Sequence, residues 1–197
     1  MKAFPSFLPV LKKLEAGVKT KEGLLHSKLK KAIRVDERNL EIFIGKKRVF
    51  SMKIFLGRPP YYFPWAELFT VDPSFFGTDA EKKLIKLFSK SGPGTRMFIE
   101  YGHDEKTQYA LLHGVPPAAT RMGNVFFKSG FTWFKDWYFP EGFYEGDIKL
   151  QAEVPIDAIA KKRQLLESKV TLEKFLKNKL AKKYLDEANL ARKLLDD

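Results

Sequence analysis

The chain of 197 residues contains no cysteine, which excludes disulfides, thiolate nucleophiles and cysteine-held metal ions together. Asparagine and glutamine are scarce, at four and three, while lysine is abundant; that bias is reported for hyperthermophile proteins and predicts a thermophilic source. No apolar run approaches the roughly 20 residues that span a bilayer. The opening "MKAFPSFLPVLKKLEAG" soon turns into Lys and Glu and lacks a small-residue cleavage site. It reads as a mature helix rather than a signal peptide, and the expected location is cytoplasmic.

What is present suffices for a core. Hydrophobic residues make up 44% and aromatics 14%, so global disorder is not expected. The length suits one large domain, or one domain with an appendage. The net charge of +12 is uneven: residues 1–60 carry 15 basic and 5 acidic groups, residues 61–152 carry 10 and 11, and residues 153–197 carry 11 and 8. A positive N-terminal third suggests an anionic partner, nucleic acid included, although a solvated lysine-rich surface gives the same numbers. The "KLKKAIR" run at 28–34 has no interleaved aromatic platform in sequence.

Periodicity then divides the chain. Pro5–Glu15 reads as a helix and Leu24–Val35 is ambiguous, with Leu25, Leu29 and Ile33 at helical spacing. Leu40, Ile42 and Ile44 alternate, "GKKR" turns, and Phe50, Met52, Ile54 and Leu56 alternate again, which predicts a hairpin. Strands are expected at 65–71 and 96–101, with helices at 80–90 and 116–129, the second closed by Gly130. Strand, helix, strand, helix, strand marks an α/β unit. "FTWFKDWYFPEGFYEG", 131–146, reads as its last strand, with Phe131, Trp133, Trp137 and Phe139 on one face and Phe134 and Tyr138 on the other. After Pro140 the charged and aromatic mixture reads as a loop with functional character. From Pro155 on, two amphipathic helical segments follow, with Leu172, Leu176, Leu180, Tyr184 and Ala188 stepping by four. The expected division is 1–154 for the α/β domain and 155–197 for a helical extension that covers its stripe on a second copy, as a homodimer.

The segment "AELFTVDPSFFGTDAEKKLIKLF" resembles the central motif of the acetyl-CoA-dependent N-acetyltransferase (GNAT) superfamily, in which a strand ending in Val-x-Pro leads through a glycine-rich loop into a helix. "AATRMGNVFFKSGF" is similar to that superfamily's closing helix, with Gly130 and Phe131 at its end. "GFTWFKDWYFPEGFYEGDIKLQAEVP" resembles a small archaeal and bacterial family of unknown function grouped with the same superfamily. The resemblance spans roughly residues 40–140 and implies a mixed sheet flanked by helices, an acetyl-CoA or other acyl-CoA cofactor and a small-molecule amine. It places the cofactor at Val71, Gly77 and Thr78 and a general base at Glu67, which shares a strand face with Trp65, Phe69 and Val71.

The departures are informative. The Arg/Gln position of the loop holds Phe76, and the second and third glycine positions hold Asp79 and Glu81. Their carboxylates suit a helix N-terminus but compete with a pyrophosphate for its amides. Asp79 is the expected helix cap, with Thr78 as its rival. Phe126 stands where many members carry a proton-donating Tyr. The reading is therefore an acyltransferase-like protein with atypical or lost acyl-CoA binding, its acceptor pocket shaped by Lys135, Asp136, Glu141 and Tyr144. The alternatives are a nucleic-acid-binding protein and an oligomerisation scaffold. His103, Asp104 and His113 lack the spacing of a metal motif, so no metal is expected.

Overall fold

The computed structural model describes residues 6–30, 34, 36–56, 64–69, 72–100, 110–111, 115–138 and 149–177. A helix α1, Leu8–Ala16, precedes a meander of β1 (Val18–Thr20), β2 (Gly23–Leu29), β3 (Glu37–Ile44) and β4 (Lys47–Phe55). Then come β5 (Trp65–Phe69), α2 (Asp79–Ser89), β6 (Arg96–Glu100), α3 (Arg121–Ser129), β7 (Trp133–Tyr138), β8 (Lys149–Glu153) and α4 (Ala158–Leu176). All eight strands form one sheet in the order β1-β2-β3-β4-β5-β6-β8-β7. Every neighbouring pair is antiparallel except β5 and β6, which run parallel and are joined through α2. The protein is thus a mixed α/β fold with a sheet flanked by helices.

Alternation builds the core. Met52 and Ile54 on β4, Ala66 and Leu68 on β5, Met97 on β6, Ala152 on β8 and Phe134 on β7 are all buried. They join one cluster with Leu14 of α1, Leu84, Ile85 and Phe88 of α2, and Met122 and Phe126 of α3. The Phe7 and Phe88 rings meet edge-on at 4.9 Å. Burial of each such side chain contributes roughly 1.5–3 kcal/mol, so this face holds the fold together. Between these positions the strands present Lys53, Trp65 and Phe98, with Phe55 stacked on Trp65 at 5.7 Å and Phe98 edge-on to it at 5.7 Å.

Several expectations change. The ambiguous stretch forms a strand as far as Leu29, because β2 pairs with β3 from Leu25↔Ile44 to Leu29↔Leu40. Helical spacing at Leu25 and Leu29 is equally the even parity of a strand, and cross-strand pairing decides between them. Residues 116–129 divide into a 3-10 turn, Pro117–Ala119, and α3. Gly130 does close α3, with φ 109°, the left-handed conformation that glycine adopts without a side-chain penalty. The single alternation expected along 131–139 fails on two counts. Phe131 precedes the strand, and a register shift between Phe134 and Trp137 inserts a residue against β8, which breaks the odd–even rule. The two C-terminal segments join, as far as described, in one helix through Val170 and Thr171. Its exposed apolar residues are Ile159, Leu166 and Val170; the side chains of Leu172 and Leu176, and residues 178 onward, lie outside the described residues. The helix touches the sheet through Gln164, whose Oε1 accepts from the Phe134 N–H at 3.3 Å, and Arg163, whose guanidinium sits over the Trp133 ring at 4.9 Å.

Candidate functional site

The loop from β5 into α2 is built by short-range hydrogen bonds. Asp72 anchors it: its N–H donates to the Val49 carbonyl at 2.7 Å, and its carboxylate accepts from the Ser74 N–H at 2.8 Å. The Lys47 ammonium lies 2.9 Å from the same carboxylate. Hydrogen bonding to Ser74, then to Lys47, holds the Asp72 carboxyl down at about 2. A one-turn 3-10 segment, Pro73–Phe75, follows, with the Phe75 ring packed on Phe50 at 4.9 Å. Gly77 then takes φ 80°, and α2 begins.

Thr78, not Asp79, is the cap. Thr78 has extended backbone dihedrals and its hydroxyl accepts from the Glu81 N–H at 3.1 Å. Asp79 already has helical geometry at the first position, where its side chain points away from the helix's own amides. Its carboxylate instead accepts from the Lys21 N–H at 3.0 Å and pairs with Lys83 at 2.7 Å. These contacts, the Lys83 hydrogen bond foremost, lower its pKa. Glu81 is buried at 1% exposure, and its carboxylate reaches back to the Gly77 N–H at 2.6 Å. This is a capping box displaced by one residue, since the usual form returns to the cap itself.

The remaining amides are taken by a residue the sequence did not mark. Glu22, in the two-residue turn between β1 and β2, places one carboxylate oxygen 2.9 Å from the Asp79 N and the other 3.0 Å from the Ala80 N. Donation from the Asp79 N–H is the main cause of the lowered Glu22 pKa. The Lys83 ammonium also donates to the Lys19 carbonyl at 2.9 Å. The β1–β2 turn and the start of α2 are thus fastened both ways. No local signature announces this, because the partner lies 57 residues away. The one available hint was a helix start with two glycines replaced.

Both Glu22 and Asp72 have folded-state pKa values below their unfolded ones. Their contribution is complete above the unfolded values and is lost as pH falls through the folded ones. Thermal melts should therefore be level near neutrality and decline below about pH 4, in part through the range of Asp72 toward pH 2. Asp72→Asn should flatten the lowest part of that decline; an unchanged profile in the variant would sink the assignment.

Of the other sequence-predicted residues, Glu67 stands half-buried on β5, opposite Lys53 on β4 and Phe98 on β6. Its cross-strand neighbours are therefore a lysine on one side and a phenylalanine on the other. That lysine is engaged by Glu37 at 3.3 Å and lies over the Trp65 ring at 5.8 Å. Lys135 and Asp136 fall at the β7 irregularity, between the paired Phe134 and Trp137; their side chains lie outside the described residues, as do Val71, Glu141 and Tyr144, and His103, Asp104 and His113. The "KLKKAIR" run gains an aromatic neighbour from β3, since the Lys28 ammonium lies 5.0 Å from the Phe43 ring centre. Among the described residues no cluster of His, Asp or Glu could hold a metal ion. No described helix is long and apolar enough to cross a membrane.

A family model described as "Protein of unknown function (DUF1122)" matches residues 21–179. This chain belongs to the DUF1122 family. A protein of unknown function from Aquifex aeolicus VF5 is 37% identical, with a TM-score of 0.82 over 97% of this chain and 98% of that one. The GNAT domain of an S. lividans protein (PAT) is similar over 62% of this chain and 64% of its own, at 17% identity and TM-score 0.32. A Bacillus subtilis acetyltransferase solved in complex with CoA is similar over 66% and 98%, at 11% identity and TM-score 0.34. No curated protein matches the chain.

Proposed function

We propose that this DUF1122 member is an acyltransferase-like protein whose phosphate cradle is closed by its own Glu22, and which has kept the fold as a binding module for a small-molecule amine. One observation carries the reading. The Gly77, Asp79, Ala80 and Glu81 amides, where a pyrophosphate would sit, already bond to Glu81, Glu22 and Thr78. An incoming phosphate would have to displace a bidentate carboxylate and approach two further acids. On the acceptor side, Glu67 lies in register with Phe98 and near Trp65, a combination of carboxylate and aromatic faces that suits an ammonium. Lys135, Asp136, Glu141 and Tyr144 complete that pocket in this reading. The comparisons lend no support to the alternative of nucleic-acid binding.

Calorimetry tests the closed cradle. Any response of the wild-type chain to acetyl-CoA should be unchanged by Phe76→Ala, whereas Glu22→Ala should bind more tightly. Glu22→Ala should also melt about 2–4 °C lower, as expected for losing roughly 1 kcal/mol of helix capping in a chain of this size. Micromolar wild-type affinity that drops on Phe76→Ala would overturn the reading.

A further inference from the structure

A second feature lies on the flank of α2, away from the amides of its first turn. Asp79, Lys82, Lys83 and Lys86 line one side of a cleft of about 390 Å³, and Asn124, Val125, Lys128 and Ser129 of α3 line the other. Each set follows the three- and four-residue spacing of a single helix face. We propose that this cleft binds a compact phosphate-bearing anion, gripped by Lys82, Lys86 and Lys128 and by the side-chain amide of Asn124.

The charges make the first argument. Lys83 is committed to Asp79 and to the Lys19 carbonyl, so those two side chains offset one another. Lys82, Lys86 and Lys128 are exposed, and their ammonium groups make no ion pair or hydrogen bond with any described residue. Three ammonium groups with no partner among the described residues therefore border one cleft. Lys82 and Lys86 are four residues apart on α2, a like-charge arrangement that weakens a helix rather than supporting it. A surface built only for solubility would interleave carboxylates here.

Asn124 supplies an independent observation. Its residue is only 6% exposed, yet its side-chain amide has no hydrogen-bond partner among the described residues. The residue is held in place by packing while its amide atoms keep some contact with solvent, so they are free to meet a ligand. The amide borders the cleft, so a ligand oxygen there would complete it. Lysines act as separate point charges, which suits the several oxygens of a phosphate or diphosphate better than one planar carboxylate. Val125 gives the wall an apolar patch, so a small organic body fits beside the phosphate. The cleft uses side chains and leaves the Glu22 closure in place, so it stands apart from the fate of acyl-CoA at the loop.

The full chain should be titrated at low salt with inorganic phosphate, inorganic pyrophosphate and ribose 5-phosphate, which separate a free phosphate from a phosphomonoester on an organic body. At least one should bind saturably with a Kd of about 1 mM or below, weakening as salt rises. The K82Q/K86Q double variant should lose about tenfold or more, the change expected when charged partners are removed. Asn124→Ala should lose several-fold with an unchanged melting temperature in the absence of anion. Lys12→Gln with Lys13→Gln, on α1, should leave the affinity intact. No saturable binding by any of the three anions would overturn the proposal, as would equal losses in the α1 control, which would mean a diffuse ion atmosphere only.

Discussion

Gly123→Ala should lower the melting temperature by roughly 6–12 °C, although alanine is the better helix former. Gly123 is the third residue of α3, and a Cβ placed on it would lie 1.8 Å from the Pro117 carbonyl oxygen and 2.6 Å from its carbon. These are backbone atoms with no rotamer to yield. They are fixed further because the Pro117 carbonyl accepts from both the Thr120 hydroxyl at 2.9 Å and the Thr120 N–H at 3.1 Å. The same hydroxyl caps α3 by accepting from the Gly123 N–H at 3.1 Å, and the added carbon would stand 2.9 Å from it. Relief requires moving the 3-10 turn, and Pro117, Ala118 and Ala119 are all buried. Overpacking of this kind costs about 3 kcal/mol or more, well above the roughly 1 kcal/mol of propensity gained. Differential scanning calorimetry decides it. A melting temperature equal to or above the wild type would mean that the turn yields and the close approach has been overvalued.

Arg96→Met is expected to be nearly as damaging, at about 3 kcal/mol. Arg96 opens β6 directly across from Glu153 on β8, and its Nε donates to the Glu153 carboxylate at 2.9 Å. The glutamate side chain is only 4% exposed, while the arginine is 35% exposed. Removing the arginine leaves a buried carboxylate short of its cation, which costs more than the pair contributes over an apolar substitute. Partial exposure of Arg96 places the figure at the lower end for buried pairs. Urea denaturation should show the midpoint of Arg96→Met well below wild type, with Arg96→Met/Glu153→Leu recovering much of the loss. If the double variant is no better than the single one, the cost belongs to lost packing of the arginine stem and not to the loss of this cation beside Glu153.

The sequence announces an element wherever local chemistry and tertiary demand agree. The β3–β4 hairpin is legible from the alternation of Leu40, Ile42 and Ile44 with Met52 and Ile54, because those residues face the core. The Gly130 stop of α3 is legible from cap chemistry alone, and the start of α2 to within one residue, since the cap is Thr78 where Asp79 was expected. β8 escapes because its pattern, Leu150 and Ala152 among Lys149, Gln151 and Glu153, is short and carries only two apolar residues. Its place in the sheet comes from pairing on both sides. β1 escapes because three residues carry no period. At the site, the departures at Asp79 and Glu81 correctly point to occupied amides, and Glu81 does take one. The bidentate carboxylate belongs to Glu22, however, and a contact between a turn and a helix 57 residues later leaves no trace in either segment. Asn124 and the lysines of the cleft share that difficulty, since only the packing of α2 beside α3 brings them together.

The position of β8 has a consequence for how the chain reaches its native state. β8 is the last described strand in sequence, but it occupies an interior slot with β6 on one side and β7 on the other. On a chain emerging from the ribosome, β1 to β4 can pair in succession as soon as they appear, since each lies beside its neighbour in sequence. β6 and β7 must wait with unsatisfied backbone edges until residues 149–153 arrive to bridge them. Late, non-local closure of this kind slows folding and lengthens the interval in which such edges can pair with other chains. A nascent or truncated chain ending before Lys149 would therefore present two open edges where the finished protein has a continuous ladder.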